Sequence, residues 1–168
     1  PGPPMQTLAT MIFDGVLERF PELRIGVIEQ GAIWLPSRIK QMESAYDAFL
    51  RHEDRLQKLS LRPSEYVQRQ IRATPYPTED VGWIIENTGP DVCLFLTDYP
   101  HVEGGRRPYE RFARSLGDAS AAVRSRFYAD NFVDLMGQGL PADLPRPRGV
   151  AAARPAASSG PPTQSAPS

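Results

Sequence analysis

The segment VCLFLTDYPH, residues 92–101, decides the fold class of this chain. Its first six residues are apolar, β-branched or Cys, with no alternation of polar and apolar positions. This pattern is typical of a strand that is covered on both faces, as in parallel α/β sheets. Asp98 follows at once, and Pro100 ends the strand two residues later. We therefore predict that a buried strand delivers a carboxylate to the end of the sheet where α/β folds bind ligands and metals.

Helical and extended patterns alternate along the rest of the chain. They are recognised by four-residue apolar spacing for helices and by β-branched runs for strands. In chain order the pattern predicts a helix over 6–20, a strand over 23–29, a helix over 35–49, short helices from Glu53 and from Pro63, a short strand over 70–74, a helix from Thr78 to about Gly89, the strand at Val92, and two helices ending at Gly137.

This alternation favours parallel βα units, which need roughly 30 or more residues each. Only about three strands therefore fit between residues 5 and 137, whereas a (β/α)8 barrel needs eight strands and about 250 residues. The folded part at 5–137 is thus predicted to be either a small open α/β sheet or a part of a barrel. Residues 138–168 are rich in Pro, Ala and Ser without an apolar period, so we predict a disordered tail there.

The composition excludes several partners. The chain has 19 basic and 20 acidic residues, which gives no electrostatic case for binding nucleic acid or an anionic membrane. No apolar run approaches the roughly 20 residues of a membrane span, and the first residues do not resemble a signal peptide. The single cysteine, Cys93, fits a reducing compartment and is expected in the core, so we predict a cytoplasmic protein.

Several short motifs occur in an order that resembles a known family. They are FPELRI at 20–25, EQGAIWLP at 29–36, RPSEYV at 62–67, TDYPH at 97–101 and NF at 131–132. Together they resemble the C-terminal half of the amidohydrolase-related (amidohydrolase 2) family, which includes metal-dependent hydrolases and decarboxylases of the aminocarboxymuconate-semialdehyde type. Any one motif is unspecific, and their order and spacing carry the resemblance.

The resemblance implies a partial (β/α)8 TIM barrel comprising roughly strands six to eight and their helices. It also implies a divalent metal, with zinc as the expected ion, at the C-terminal mouth of the complete barrel. Asp98 matches the strand-eight aspartate of the family, which is a metal ligand and can also accept a proton from water. From the residue pattern alone, Asp98 could equally cap the turn before Pro100.

The chain departs from the family pattern at several metal-ligand positions. The chain contains only two histidines and lacks the family's His-x-His pair, so we expect it to supply one ligand, Asp98, where a catalytic zinc site needs about three. We therefore expect the chain alone to be inactive and to hold no stoichiometric zinc. Glu29 stands where decarboxylase-like members carry a histidine. It is expected to assist catalysis, although it could be a solvated strand-end acid.

The leading hypothesis is a metal-dependent hydrolase acting on a small molecule, of which this chain is the C-terminal portion. The alternatives are a non-oxidative decarboxylase of the same superfamily and a non-catalytic α/β binding module. His101 and Trp34 are candidate substrate contacts, although His101 could be a plain loop residue and Trp34 a core residue. A truncated barrel would also expose apolar strand edges, so association into homo-oligomers is expected.

Overall fold

In the computed structural model, which describes residues 2–141 and 143–144, helices and short strands alternate along the chain. The two strands are β1, Ile25–Val27, and β2, Ile71–Ala73. The α-helices are α1 Gly2–Phe13, α2 Val16–Arg19, α3 Leu35–Phe49, α4 Asp54–Gln57, α5 Pro63–Gln70, α6 Val81–Thr88, α7 Pro108–Ser115, α8 Ala121–Ser125 and α9 Asn131–Met136. A π-helical turn, Arg126–Asp130, joins α8 to α9, and 3-10 turns lie at Val102–Gly104 and Gly137–Gly139.

The sheet is parallel. β1 pairs with β2 in the register Ile25 to Ile71 and Val27 to Ala73, and a parallel bridge joins Ala73 to Cys93 on the other side of β2. The order across the sheet is therefore β1, β2 and the segment around Cys93. Because all three segments run in the same direction, the residues that follow them lie at one edge of the sheet.

The prediction of a strand over 92–97 is wrong, because this segment forms a single bridge at Cys93 and no regular strand. Hydrogen bonds join Val92 O to Ala73 N (2.8 Å) and Leu94 N to Ala73 O (3.0 Å), and the ladder then stops because β2 ends at Ala73. Phe95 N turns instead to the carbonyl of Phe127 at 2.9 Å. The apolar run predicted burial correctly at its start, since Val92, Cys93 and Leu94 are buried.

The core lies between the sheet and the helices that follow its strands. Along α3 the buried positions repeat at helical spacing, as the sequence predicted, except that the last predicted member, Phe49, is exposed. α3 packs against α5 and α6. This arrangement encloses β2, whose three residues are all buried, between its neighbours.

Several predicted boundaries differ from the structure, and both confirmed strands are shorter than predicted. The helix over 6–20 is interrupted at Gly15, whose φ of 71° lies in the left-handed region that an α-helix cannot use. Asp80, rather than Thr78, caps α6 by accepting a hydrogen bond from Trp83 N. The predicted disordered tail lies largely outside the described residues, and within them its first residues complete the 3-10 turn Gly137–Gly139. Among the described residues, none of the helices is both long and apolar enough to cross a bilayer.

Candidate functional site

Two carboxylates and a histidine meet at the C-terminal edge of the sheet. Glu29 follows β1, and Asp98 and His101 follow the segment bridged to β2. One ligand atom from each of these three side chains lies within 4.8 Å of the other two, and we call this group the rim cluster. The structure thus brings together the two predicted catalytic residues and one of the two predicted substrate contacts.

The imidazole of His101 joins the two carboxylates. Its Nδ1 lies 3.1 Å from Glu29 Oε1 and 3.4 Å from Asp98 Oδ1. The side chain of Asp98 is only 9% exposed, whereas those of Glu29 and His101 are 50% and 63% exposed. Asp98 is therefore the enclosed member of the rim cluster, and the other two open towards solvent.

Both carboxylate residues have an unusual backbone conformation. Among the described residues, Glu29 (φ 57°) and Asp98 (φ 56°) are the two non-glycine residues with positive φ. Left-handed conformation costs an L-residue about 1–2 kcal/mol, and such residues concentrate at functional sites, where surrounding contacts hold them. The two strained residues are 69 positions apart in sequence, yet their carboxylates share one histidine.

The loop that carries Asp98 and His101 folds back on itself. His101 N donates to Asp98 O at 2.7 Å, and the 3-10 turn Val102–Gly104 follows directly. Gly104 is buried against the carbonyl of Thr97, where a Cβ atom would overlap that oxygen. Glycine at this position therefore allows the loop to return to the strand end and place His101 beside Asp98.

The loop after β1 is held from within by Trp34. Its indole Nε1 donates to the carbonyls of Gln30 (3.2 Å) and Gly31 (3.0 Å), and the side chain is buried in the hydrophobic core. The polar atom of Trp34 is thus used to hold the loop that begins with Glu29. A direct contact between Trp34 and a substrate stays a prediction.

The rim cluster favours positive charge. The hydrogen bond with Glu29, and after it the negative charge of Asp98, raise the pKa of His101 above its ordinary value. Burial, and after it the charges of Asp98 and of neighbouring carboxylates, likewise raise the pKa of Tyr76, so its hydroxyl stays protonated at neutral pH. The two carboxylates that cause these shifts would attract a metal cation as well, in competition with the proton on the imidazole.

The donor set of the rim cluster fits a divalent metal. Carboxylate oxygens and imidazole nitrogens are the ligands that Zn²⁺ and Mn²⁺ accept. Two ligands at roughly 2.0–2.2 Å from one ion stand about 2.9–3.5 Å apart at tetrahedral or octahedral angles. The separations from His101 to Glu29 and to Asp98 fall in that range. Two of the three separations are therefore compatible with a shared ion, and the ligand atoms of Glu29 and Asp98 lie within 4.8 Å of each other.

Sequence reasoning missed the residues that support the site. Thr74 and Tyr76, which follow β2, contact the backbone of Glu29, and Glu79 contacts the backbone of Ala32. Their position in the sequence could have indicated this role, since all three residues lie at or after the end of a predicted strand, at the same edge of the sheet. Cys93 is buried in the core as expected, and burial raises the pKa of its thiol.

The fold and this site define a class, namely α/β proteins that gather polar side chains at the C-terminal ends of parallel strands. Within that class, the chain belongs to the amidohydrolase family, because the family model described as Amidohydrolase matches residues 1–135. The motif resemblance in the sequence is thereby confirmed. The α/β fold with few strands is consistent with a partial amidohydrolase barrel.

Solved structures with a similar fold include an amidohydrolase from Mycobacterium avium subsp. paratuberculosis K-10, at 29% identity and a TM-score of 0.67, over 79% of this chain and 33% of that one. Two 5-carboxyvanillate decarboxylases also match at 22% identity. The enzyme from Sphingomonas paucimobilis gives a TM-score of 0.55 over 76% of this chain and 37% of its own. The enzyme from Novosphingobium aromaticivorans DSM 12444, in complex with manganese and 4-hydroxy-3-methoxy-5-nitrobenzoic acid, gives 0.58 over 78% and 38%.

The chain therefore spans between about a third and two fifths of the length of these three structures. At 22% identity the two decarboxylases share the fold with this chain, and their activity is not carried over by that likeness. Among curated proteins, no relative matches the sequence significantly.

Proposed function

We propose that this chain carries part of the metal centre of an amidohydrolase-superfamily hydrolase that acts on a small molecule. The observation that supports the proposal most is the meeting of Glu29, Asp98 and His101 at the C-terminal edge of the sheet. The left-handed backbone of both carboxylate residues adds support, because strained conformations of this kind concentrate at functional sites.

Each member of the rim cluster has a role that follows from its surroundings. Asp98 is enclosed and fixed, which suits a metal ligand that also accepts a proton from water. Glu29 is more exposed and can ligate the ion or assist proton transfer. His101 can ligate through Nδ1 or, once protonated, contact a substrate carboxylate. A divalent ion held there would supply Lewis-acid catalysis, polarising a substrate carbonyl and making water more acidic.

Metal binding by this chain alone is expected on geometric grounds. The sequence predicts one ligand and no stoichiometric zinc for the chain alone; the proposal departs from this prediction because potential ligand atoms of three side chains lie within 4.8 Å of one another. We expect one divalent ion to bind, and manganese deserves the first trial because a structural neighbour contains it. Catalysis by this chain alone is not expected, since it spans only part of the length of the enzymes that it resembles.

The decisive experiment is a Mn²⁺ titration of the chain followed by electron paramagnetic resonance, with Zn²⁺ as competitor. Asp98→Asn replaces the anionic ligand oxygen by a neutral amide oxygen and should weaken Mn²⁺ binding by about 10-fold or more, because even supporting residues of metal sites contribute that much. Glu103→Gln is the matched control, since it removes one carboxylate from the same loop but lies outside the rim cluster.

Saturable binding that Asp98→Asn weakens and Glu103→Gln leaves within about 3-fold supports the metal centre. Equal losses in both variants would show diffuse electrostatic attraction instead. Absence of saturable binding would overturn metal binding by this chain alone and would agree with a chain that supplies a single ligand to the site.

Non-oxidative decarboxylation is the alternative activity at the same site. The family resemblance argues against it at one position, because decarboxylase-like members carry a histidine where this chain has Glu29. Release of CO₂ from 5-carboxyvanillate by a metal-loaded protein that contains this chain would favour the alternative over hydrolysis.

A further inference from the structure

The backbone of Glu29 is held on both sides by side chains that follow β2. Its N–H donates to the Oγ1 of Thr74 at 3.0 Å, and its carbonyl accepts from the hydroxyl of Tyr76 at 2.7 Å. The last backbone bond between the two segments, Thr74 N to Val27 O at 3.1 Å, lies just before these contacts. Beyond this bond, hydrogen bonds from side chains replace the backbone bonds between the two segments, and they do so at Glu29, the residue with positive φ.

These two contacts account for the conformation of Glu29. A non-glycine residue keeps a positive φ only where neighbouring groups fix it more strongly than the strain opposes it. An isolated turn could not supply this, because both partners come from a segment more than 40 residues away in sequence. The conformation of Glu29 therefore depends on the docking of the loop after β2.

Glu79 joins the same two loops at a second point. Its carboxylate accepts from Ala32 N at 2.8 Å and from Tyr76 N at 3.1 Å. A Cβ atom at Gly31, whose φ is 64°, would overlap this carboxylate, so the loop after β1 approaches it as closely as glycine permits. Tyr76 is thus fixed at its backbone by Glu79 while its hydroxyl holds Glu29.

We infer that Thr74 and Tyr76 are positioning residues that hold Glu29 in its left-handed conformation and so direct its carboxylate towards Asp98 and His101. The inference rests on the proposed metal centre for its functional consequence, but the conformational part stands without it.

The first test measures the conformation itself. A residue with positive φ gives a strong intraresidue NOE between its amide and α protons, and we expect this signal for Glu29 in the metal-free, isotope-labelled chain. The double variant Thr74→Val with Tyr76→Phe should lose it, because both hydroxyls disappear while the side-chain shapes are retained. Tyr128→Phe is the control, since it removes a buried hydroxyl that has no hydrogen-bond partner among the described residues.

The second test measures Mn²⁺ affinity on the same proteins by electron paramagnetic resonance. Supporting residues of metal sites typically contribute 10–100-fold to affinity, so we expect a loss of about 10-fold or more in the double variant and none in Tyr128→Phe. If the double variant does not fold, Tyr76→Phe alone, which keeps the ring and the Thr74 contact, is judged by the same two measurements.

The outcomes separate this inference from the proposed function. A Glu29 signal that persists in the variants overturns the inference. A lost signal with unchanged Mn²⁺ affinity overturns its functional part, namely that the hold on Glu29 directs its carboxylate into the metal centre. If the parent chain binds no Mn²⁺, the metal centre fails, while loss of the NOE in the variants still supports the hold on Glu29. Loss of both the signal and the affinity supports the whole inference.

Discussion

The two ends of the sheet both carry polar side chains that reach other segments, but they differ in burial and in what their polar atoms contact. At the N-terminal end, Gln70 is fully buried, its amide donates to the carbonyl of Phe20 at 2.8 Å, and its oxygen accepts two bonds from Arg69. Tyr66, also fully buried, donates to the carboxylate of Glu18. The polar groups at this end have partners within the protein.

At the C-terminal end, the rim cluster is open. Glu29 and His101 are half or more exposed, and the carboxylates keep lone pairs that no described residue occupies. Barrel folds show the same division, with stability at the N-terminal ends of the strands and chemistry at the C-terminal ends. Buried polar groups whose hydrogen bonds are all made within the protein stabilise the fold. Exposed polar groups with unused lone pairs are available to bind a ligand.

The largest effect is expected from removing a buried ring at the N-terminal end. Tyr66→Ala should lower the free energy of unfolding by about 3–5 kcal/mol, as large-to-small aromatic substitutions in cores do. Asp98→Asn at the other end should change it far less, by about 1 kcal/mol, because the substitution keeps the side-chain volume and leaves no cavity. Urea unfolding followed by circular dichroism measures both. Equal destabilisation by the two variants would remove the contrast between the two ends.

A smaller effect is expected from pH at the N-terminal end. Hydrogen bonds from Tyr66, and after it from Ser60, lower the pKa of Glu18 below its ordinary value of 4.5. The folded chain then binds this proton less readily than the unfolded chain. The resulting stabilisation is complete above pH 4.5 and is lost as the pH falls through the folded pKa.

Urea unfolding between pH 3 and pH 6 checks this expectation by comparing the parent chain with Glu18→Gln, which cannot titrate. The parent should lose more stability on acidification than the variant does. Parallel curves for the two proteins would show that Glu18 contributes no pH dependence.

Local patterns in the sequence were sufficient for much of the fold. Apolar spacing predicted α3 and α6, and β-branched residues predicted β1, because these signals depend on which side chains must be buried. The placement of Glu29 and Asp98 at one edge followed from parallel strand direction alone. A carboxylate directly after an apolar run was therefore an informative signal for the site.

The remaining features depend on distant partners. The segment at 92–97 has strand-like residues, but a ladder requires a neighbouring strand, and β2 ends at Ala73. The hydrogen bonds from Thr74 and Tyr76 to Glu29 span more than 40 residues of sequence, so no local pattern reports them. The left-handed conformation of Glu29 was equally hidden, because glutamate has no intrinsic preference for it.

The smallest effect is expected from an exposed ion pair on the helix that follows the site loop. Arg107 and Glu110 lie 3.3 Å apart at the start of α7, with side chains 75% and 61% exposed. Such pairs contribute little because solvent screens them and both side chains lose freedom, so Glu110→Gln should change the free energy of unfolding by about 0.5 kcal/mol or less. A double-mutant cycle with Arg107→Gln isolates the pair. A coupling energy above about 1 kcal/mol would mean that the C-terminal end also holds the fold together, and the two ends of the sheet would then differ in exposure but not in their contribution to stability.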